Sequence, residues 1–149
     1  MSQEVFCGGT LVAPRWVLTA GHCLRNYLYV RFNEHDLTTY EGREKQMTVQ
    51  RMFLHPKFNH FTVDNDIALL RLPEQIRLPT ACLPDSNPVP KDLCYVMGWG
   101  KEKNYYVHGT KRLHEAKVKC FDSYEGGLKS FRPKKDTRNL FLLFNMVSL

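Results

Sequence analysis

His22 ends the run Trp16-Val17-Leu18-Thr19-Ala20-Gly21-His22-Cys23, at the tip of a rigid strand-like element where an imidazole can serve as a base. Trp16, Val17 and Leu18 suit a pleated, half-buried surface, while Gly21 permits a bend that turns the next ring out of the strand toward a cleft. Asp66 stands directly before the apolar run Ile67-Ala68-Leu69-Leu70. A carboxylate drawn inward by such a neighbour needs a partner such as an imidazole N–H; the plainer alternative is a surface acid beside Asp64. Cys7 lies sixteen residues before Cys23, far enough for a hairpin to join the sulfurs and fix the histidine-bearing turn. Such a disulfide belongs to an oxidising compartment. A zinc site is the competing reading, weakened because no Cys-x-x-Cys pair occurs and adjacent His22 and Cys23 are poorly spaced as two ligands.

The elements that must hold these residues read as short strands. Residues 6–12 and 15–20 are expected as antiparallel strands joined at Ala13-Pro14, where proline removes a ladder donor. Residues 28–32 alternate as a third strand. Residues 46–53 read as a fourth with a bulge where the alternation slips, and 67–72 as a fifth, apolar enough for burial on both sides. Pro79, Pro84, Pro88 and Pro90 make residues 78–92 an extended connection. Many short strands without a long 3.6-residue period predict an all-β barrel or sandwich. A chain of 149 residues, 43% hydrophobic and 12% aromatic, has the size and composition of one globular domain.

Phe6-Cys7-Gly8-Gly9-Thr10-Leu11-Val12, the run from Trp16 to Cys23, Asp64-Asn65-Asp66-Ile67-Ala68-Leu69-Leu70, Ala81-Cys82-Leu83-Pro84 and Cys94-Tyr95-Val96-Met97-Gly98-Trp99-Gly100 stand in one order. Together they resemble the trypsin-like serine proteases over about residues 6–118. The resemblance implies an antiparallel barrel fold: a first barrel over about 6–77 lacking its opening strand, a crossover over 78–92, and the start of a second barrel over 93–118. It implies a serine-type endopeptidase that hydrolyses protein or peptide substrates, with His22 as general base and Asp66 as the carboxylate that orients it.

The family's nucleophile lies in a Gly-Asp-Ser-Gly-Gly-Pro loop whose amides also form the oxyanion hole, and no such string occurs here. The nearest is Asp122-Ser123-Tyr124-Glu125-Gly126-Gly127, without glycines beside Ser123. The chain is therefore expected to be a truncated and inactive form, and a non-catalytic binding or decoy isoform is the alternative. Residues 1–5 have neither the basic start nor the apolar run of a signal peptide, so secretion is expected of a longer parent protein. The resemblance leaves Cys82 and Cys94 without their usual partners, and Cys120 without a counterpart.

Catalysis of this kind needs no cofactor. A structural calcium is expected by resemblance to the family's calcium loop: Glu34, Glu41 and Glu44 would supply carboxylates, and Asp36 and Thr39 main-chain carbonyls. A solvated acidic loop paired with Arg43 and Lys45 is the alternative.

The net charge of +6 is unevenly placed. Residues 1–100 carry ten Lys/Arg against ten Asp/Glu, and residues 101–149 carry eleven against five. Lys129, Arg132, Lys134, Lys135 and Arg138 in the divergent stretch 119–149 could meet a polyanion, although a solvated tail is favoured. No aromatic-interleaved groove accompanies the charge, so specific nucleic-acid binding is not expected. Residues 139–149 are too short an apolar run to span a bilayer.

Overall fold

The computed structural model describes residues 5–83, 93–101, 106, 108–119 and 146–149. Contacts divide the chain into two compact units, one of Met1–Cys82 with Phe144–Leu149 and one of Leu83–Leu143.

In the first unit the strands are β1 (Gly8–Ala13), β2 (Trp16–Thr19), β3 (Tyr29–Phe32), β4 (Lys45–Thr48), β5 (Arg51–Leu54) and β6 (Ala68–Arg71). A later strand, which in chain order is β9 (Met146–Ser148), completes an antiparallel sheet of order β4-β3-β9-β1-β2-β6-β5. Between β6 and β9 in the chain, the second unit forms one antiparallel pair, β7 (Leu93–Gly98) with β8 (His114–Lys119). The fold is all-β and antiparallel, as the sequence predicts, and the only helix among the described residues is a single 3₁₀ turn over Gly21–Cys23.

The core of the first unit follows the period-2 alternation of its strands. Leu11, Val17, Val30, Leu70 and Leu72 have no accessible surface, and Leu28, Phe32, Met47, Val49, Ile76 and Leu149 join them in one buried cluster. Trp16, Leu18, Phe53 and Leu69 share the opposite face by register, with the Trp16 and Phe53 rings 5.6 Å apart. Burial of residues 67–72 on both sides is therefore not what forms. Ala68 and Leu70 point into the core, while Leu69 stays 37% exposed on the outer face.

Residues 46–53 also differ from the single bulged strand expected. β4 pairs with β3 and β5 pairs with β6, and two residues separate them. Val49 N–H donates to Leu28 O at 2.9 Å and Gln50 N–H to Arg71 O at 2.9 Å, so the partner changes between consecutive residues. The two ends of the ladder are thus consecutive in the chain, and the sheet curls back on itself without a ladder between β4 and β5.

The third difference is β9. Residues 146–148 fall in the divergent stretch 119–149, for which the sequence suggests no strand, and they lie between β1 and β3. Gly8, Gly9 and Thr10 pair with Ser148, Val147 and Met146, and Arg31 of β3 pairs with Ser148.

In the second unit, six register pairs from Leu93↔Lys119 to Gly98↔His114 join β7 to β8. The Lys117 ammonium lies 5.9 Å from the centre of the Tyr95 ring opposite it. The stretch 84–92, including three of the four connection prolines, lies outside the described residues. No helix among the described residues is long and apolar enough to cross a membrane.

Candidate active site

β2 and β6 are neighbours in register Thr19↔Ala68, so the residues just beyond Thr19 and just before Ala68 meet at one end of the sheet. At that end β2 passes into the 3₁₀ turn, closed by Cys23 N–H to Ala20 O at 3.2 Å and Leu24 N–H to Gly21 O at 3.1 Å. The Thr19 hydroxyl donates to Gly8 O at 2.8 Å, and the Cys7–Cys23 disulfide ties the turn to the residue preceding β1. The disulfide read from spacing is therefore formed, and its sulfurs are not available as zinc ligands.

Gly21 is required by closeness. A methyl group there would stand 3.2 Å from Asp66 Oδ1 and 2.6 Å from the end of the Leu54 side chain. Its bare backbone lets the carboxylate approach the turn, which extends the bend argument made from the sequence.

Asp66 is delivered by a loop braced from within. His55 N–H donates to Ile67 O across the loop's neck at 3.1 Å, and Val63 N–H donates to Asn59 O at 2.7 Å. The Asn59 side chain accepts from Phe61 N–H, and the Asn65 side-chain amide donates to Lys57 O. Asn65 has φ of 55°, the left-handed conformation that asparagine tolerates, and Ile67 N–H closes back onto Asn65 O at 2.8 Å. Asp64 is turned aside to accept from the Thr62 hydroxyl at 2.6 Å. Of the two neighbouring acids, Asp66 is the one that reaches His22.

The contact is made at two points. Asp66 Oδ1 accepts from the His22 backbone N–H at 2.8 Å, and Oδ2 lies 2.7 Å from His22 Nδ1. A carboxylate can only accept, so Nδ1 carries the proton and the lone pair of the neutral ring sits on Nε2. The Asp66 side chain is 11% exposed and that of His22 40%, so the pair has a sheltered end and an accessible end. Nε2 lies 3.6 Å from Cys23 Sγ. This arrangement can remove a proton from a hydroxyl brought to Nε2 and hold the resulting imidazolium against a fixed negative charge.

Arg25 is a supporting residue that the sequence did not single out. Its Nη1 donates to His22 O at 2.8 Å and Leu24 O at 2.9 Å, and its guanidinium lies 5.0 Å from the centre of the Phe6 ring. An isolated arginine after a motif gives no signal of this role.

The residues expected to hold calcium are occupied otherwise. Glu34 is buried and its Oε2 accepts from Arg31 Nη1 at 2.9 Å, while Asp36 O accepts from Thr39 N–H at 3.0 Å. Glu44 accepts from the backbone N–H groups of Glu41 at 2.6 Å and Arg43 at 2.9 Å, which holds its carboxyl below the ordinary glutamate range. Among the described residues, three such ligand atoms lie within 4.8 Å of one another only at Cys7, His22 and Cys23. The carboxylates of Glu34, Glu41 and Glu44 form no such group.

Cys82 is exposed and unbonded. The side chain of Cys94, Cys120, Ser123 and the basic residues 129–138 lie outside the described residues.

The family model described as Trypsin matches residues 1–139. Among curated relatives, the chain is 32% identical over 147 residues to Trypsin-3 of Homo sapiens, covering 94% of this chain and 47% of that protein. It is 35% identical over 145 residues to Cationic trypsin-3 of Rattus norvegicus, covering 93% and 57%, and 40% identical over 125 residues to Kallikrein-9 of Homo sapiens, covering 78% and 48%. The chain spans about half the length of these curated relatives.

Proposed function

The chain belongs to the trypsin family, and from that membership we propose that it carries the base-and-orienter half of a secreted serine endopeptidase acting on protein or peptide substrates. The observation that carries the reading is the hold of Asp66 on both the backbone and the ring of His22. In amide hydrolysis a serine hydroxyl gives its proton to Nε2 as its oxygen attacks the carbonyl carbon. The imidazolium, stabilised by Asp66, then returns that proton to the leaving amine. Orientation of the base and stabilisation of its charged form both come from residues of this chain.

The hydroxyl must come from elsewhere. No Gly-Asp-Ser-Gly-Gly-Pro string occurs in the sequence, and a base without nucleophile and oxyanion donors forms no acyl-enzyme. The chain as given is therefore proposed to be inactive and its parent a longer, secreted protein, for which the disulfide at the site is supporting chemistry. Exposure to a fluorophosphonate probe tests the inactivity, and a covalent adduct would refute it. The long-range ¹⁵N–¹H spectrum of His22 tests the base, with Nδ1 protonated and Nε2 bare as the expected result.

A second reading is a non-catalytic binding isoform. What favours it is β9, which occupies edges of β1 and β3 that would otherwise invite aggregation. The basic residues 129–138 would then engage a polyanion. Salt-sensitive retention on heparin, lost when Lys129, Arg132, Lys134, Lys135 and Arg138 are neutralised, is the expected result for this reading.

A further inference from the structure

β9 is held in the way an added peptide strand is held: by main-chain pairing and, among the described side chains, by the buried Leu149 that follows it. Its three register pairs with β1 and one with β3 are flanked by Leu149 N–H to Cys7 O at 3.0 Å and Phe6 N–H to Leu149 O at 3.2 Å. Leu149 is 7% exposed and belongs to the core cluster. Two of the three β1 residues facing the strand are Gly8 and Gly9, which present no side chain to block entry.

The acceptor is built without β9. On one side, β1 is secured through β2, β6 and β5, and on the other β3 is secured through β4. Residues 49–50 join the two halves through the hydrogen bonds to Leu28 and Arg71, and the Cys7–Cys23 bond fixes the start of β1. Residues 83–143, which connect β6 to β9, form the other compact unit. Release of β9 therefore breaks a short ladder and the packing of Leu149, and leaves the remaining pairings of the first unit in place. Short elements with few supporting bonds are the ones that open locally.

We propose that the gap between β1 and β3 is a strand-acceptor site, and that β9 exchanges out of it in favour of the same segment of a second copy of this chain. The ligand class is an extended, mainly apolar peptide anchored by leucine at the position of Leu149. A second copy is the fitting occupant because it offers that segment on an equivalent tether. Reciprocal exchange regenerates every pairing between β9 and its neighbours across a two-fold axis, with no new surface required.

Native mass spectrometry of unlabelled chain mixed with uniformly ¹⁵N-labelled chain provides the test. Dimers of intermediate mass are expected, as is their conversion by excess synthetic Phe-Asn-Met-Val-Ser-Leu peptide to monomers carrying one peptide each. The full-length Leu149→Asp variant is expected to form no dimer with itself and to bind this peptide more tightly than the unaltered chain, because its own strand competes poorly. A peptide with the same substitution should not bind. Should the variant fail to fold alone, the unaltered peptide must restore its strand signal in circular dichroism. Failure of the variant to bind the peptide overturns the acceptor site. Peptide uptake without mixed dimers overturns exchange between copies, and so do dimers that persist in excess peptide or form equally in the variant.

Discussion

Asp66 grips His22 at two atoms, 2.8 Å from its backbone nitrogen and 2.7 Å from ring Nδ1, so one carboxylate sets both where the residue sits and how its ring is turned. The backbone bond secures the 3₁₀ turn, and the ring bond fixes which nitrogen keeps the lone pair. Losing the carboxylate should therefore affect stability and protonation separately.

In Asp66→Asn, one oxygen remains to accept from the backbone, while the amide NH₂ faces the ring and asks Nδ1 to accept. The His22 proton is expected to move to Nε2, inverting the ring's ¹⁵N shift pattern. Urea unfolding should show a loss of about 1–3 kcal/mol for a charged hydrogen bond replaced by a neutral one in a partly buried site. Retention of the Nδ1 proton would show that Asp66 does not set the tautomer.

Gly21→Ala places a methyl group against Asp66 Oδ1 and Leu54 Cδ1. The Leu54 end can swing away, so the lasting effect falls on the carboxylate, which must retreat by a few tenths of an ångström. The expected outcome is a weakened His22 Nδ1 hydrogen bond, seen as faster exchange of that proton, with a stability loss of roughly 1 kcal/mol. An unchanged exchange rate would mean that the close approach is not what Gly21 provides.

Thr10 has no accessible surface, and its hydroxyl has no hydrogen-bond partner among the described residues. Thr10→Val keeps the branched shape and removes the unmatched group, so the urea midpoint is expected to rise, corresponding to about 1 kcal/mol. A fall would show that the hydroxyl is satisfied in solution.

Glu44 is held in its charged form first by the Glu41 N–H and also by that of Arg43, so its folded pKa lies below the ordinary 4.5. A depressed pKa contributes stability above the unfolded value and loses it as pH falls through the folded one. The stability difference between the protein and Glu44→Gln should be constant near neutrality, shrink below pH 4.5, and vanish once the folded carboxyl is protonated. A difference that widened on acidification would reverse the assignment.

Arg31 neutralises Glu34, and Glu44 is committed to its own loop's amides, so added calcium is expected to leave the thermal unfolding midpoint where it was. An upward shift with calcium, absent with magnesium, would show that the loop rebuilds itself around the ion.

The pairing of His22 with Asp66 was legible because its features are local: a glycine and histidine closing a strand, and an acid opening an apolar run. The sequence could not show that Arg31 takes Glu34, because that depends on where β3 ends relative to the following turn. Division of residues 45–54 between two partners was hidden for a related reason, since a slipped alternation has the same appearance whether it marks a bulge or a change of neighbour. β9 was the least legible element. Three residues offer too short a period, and their place is decided by edges that belong to Gly8–Ala13 and Tyr29–Phe32, far away in the chain.

Gly8 can meet Ser148 only after everything between them has been translated. During synthesis β1 and β3 thus leave the ribosome facing an unfilled gap, and the middle of the sheet, rather than its rim, is the last part to zip. That interval is when a chaperone, or a strand from a sister chain on the same messenger, has free access to the growing protein.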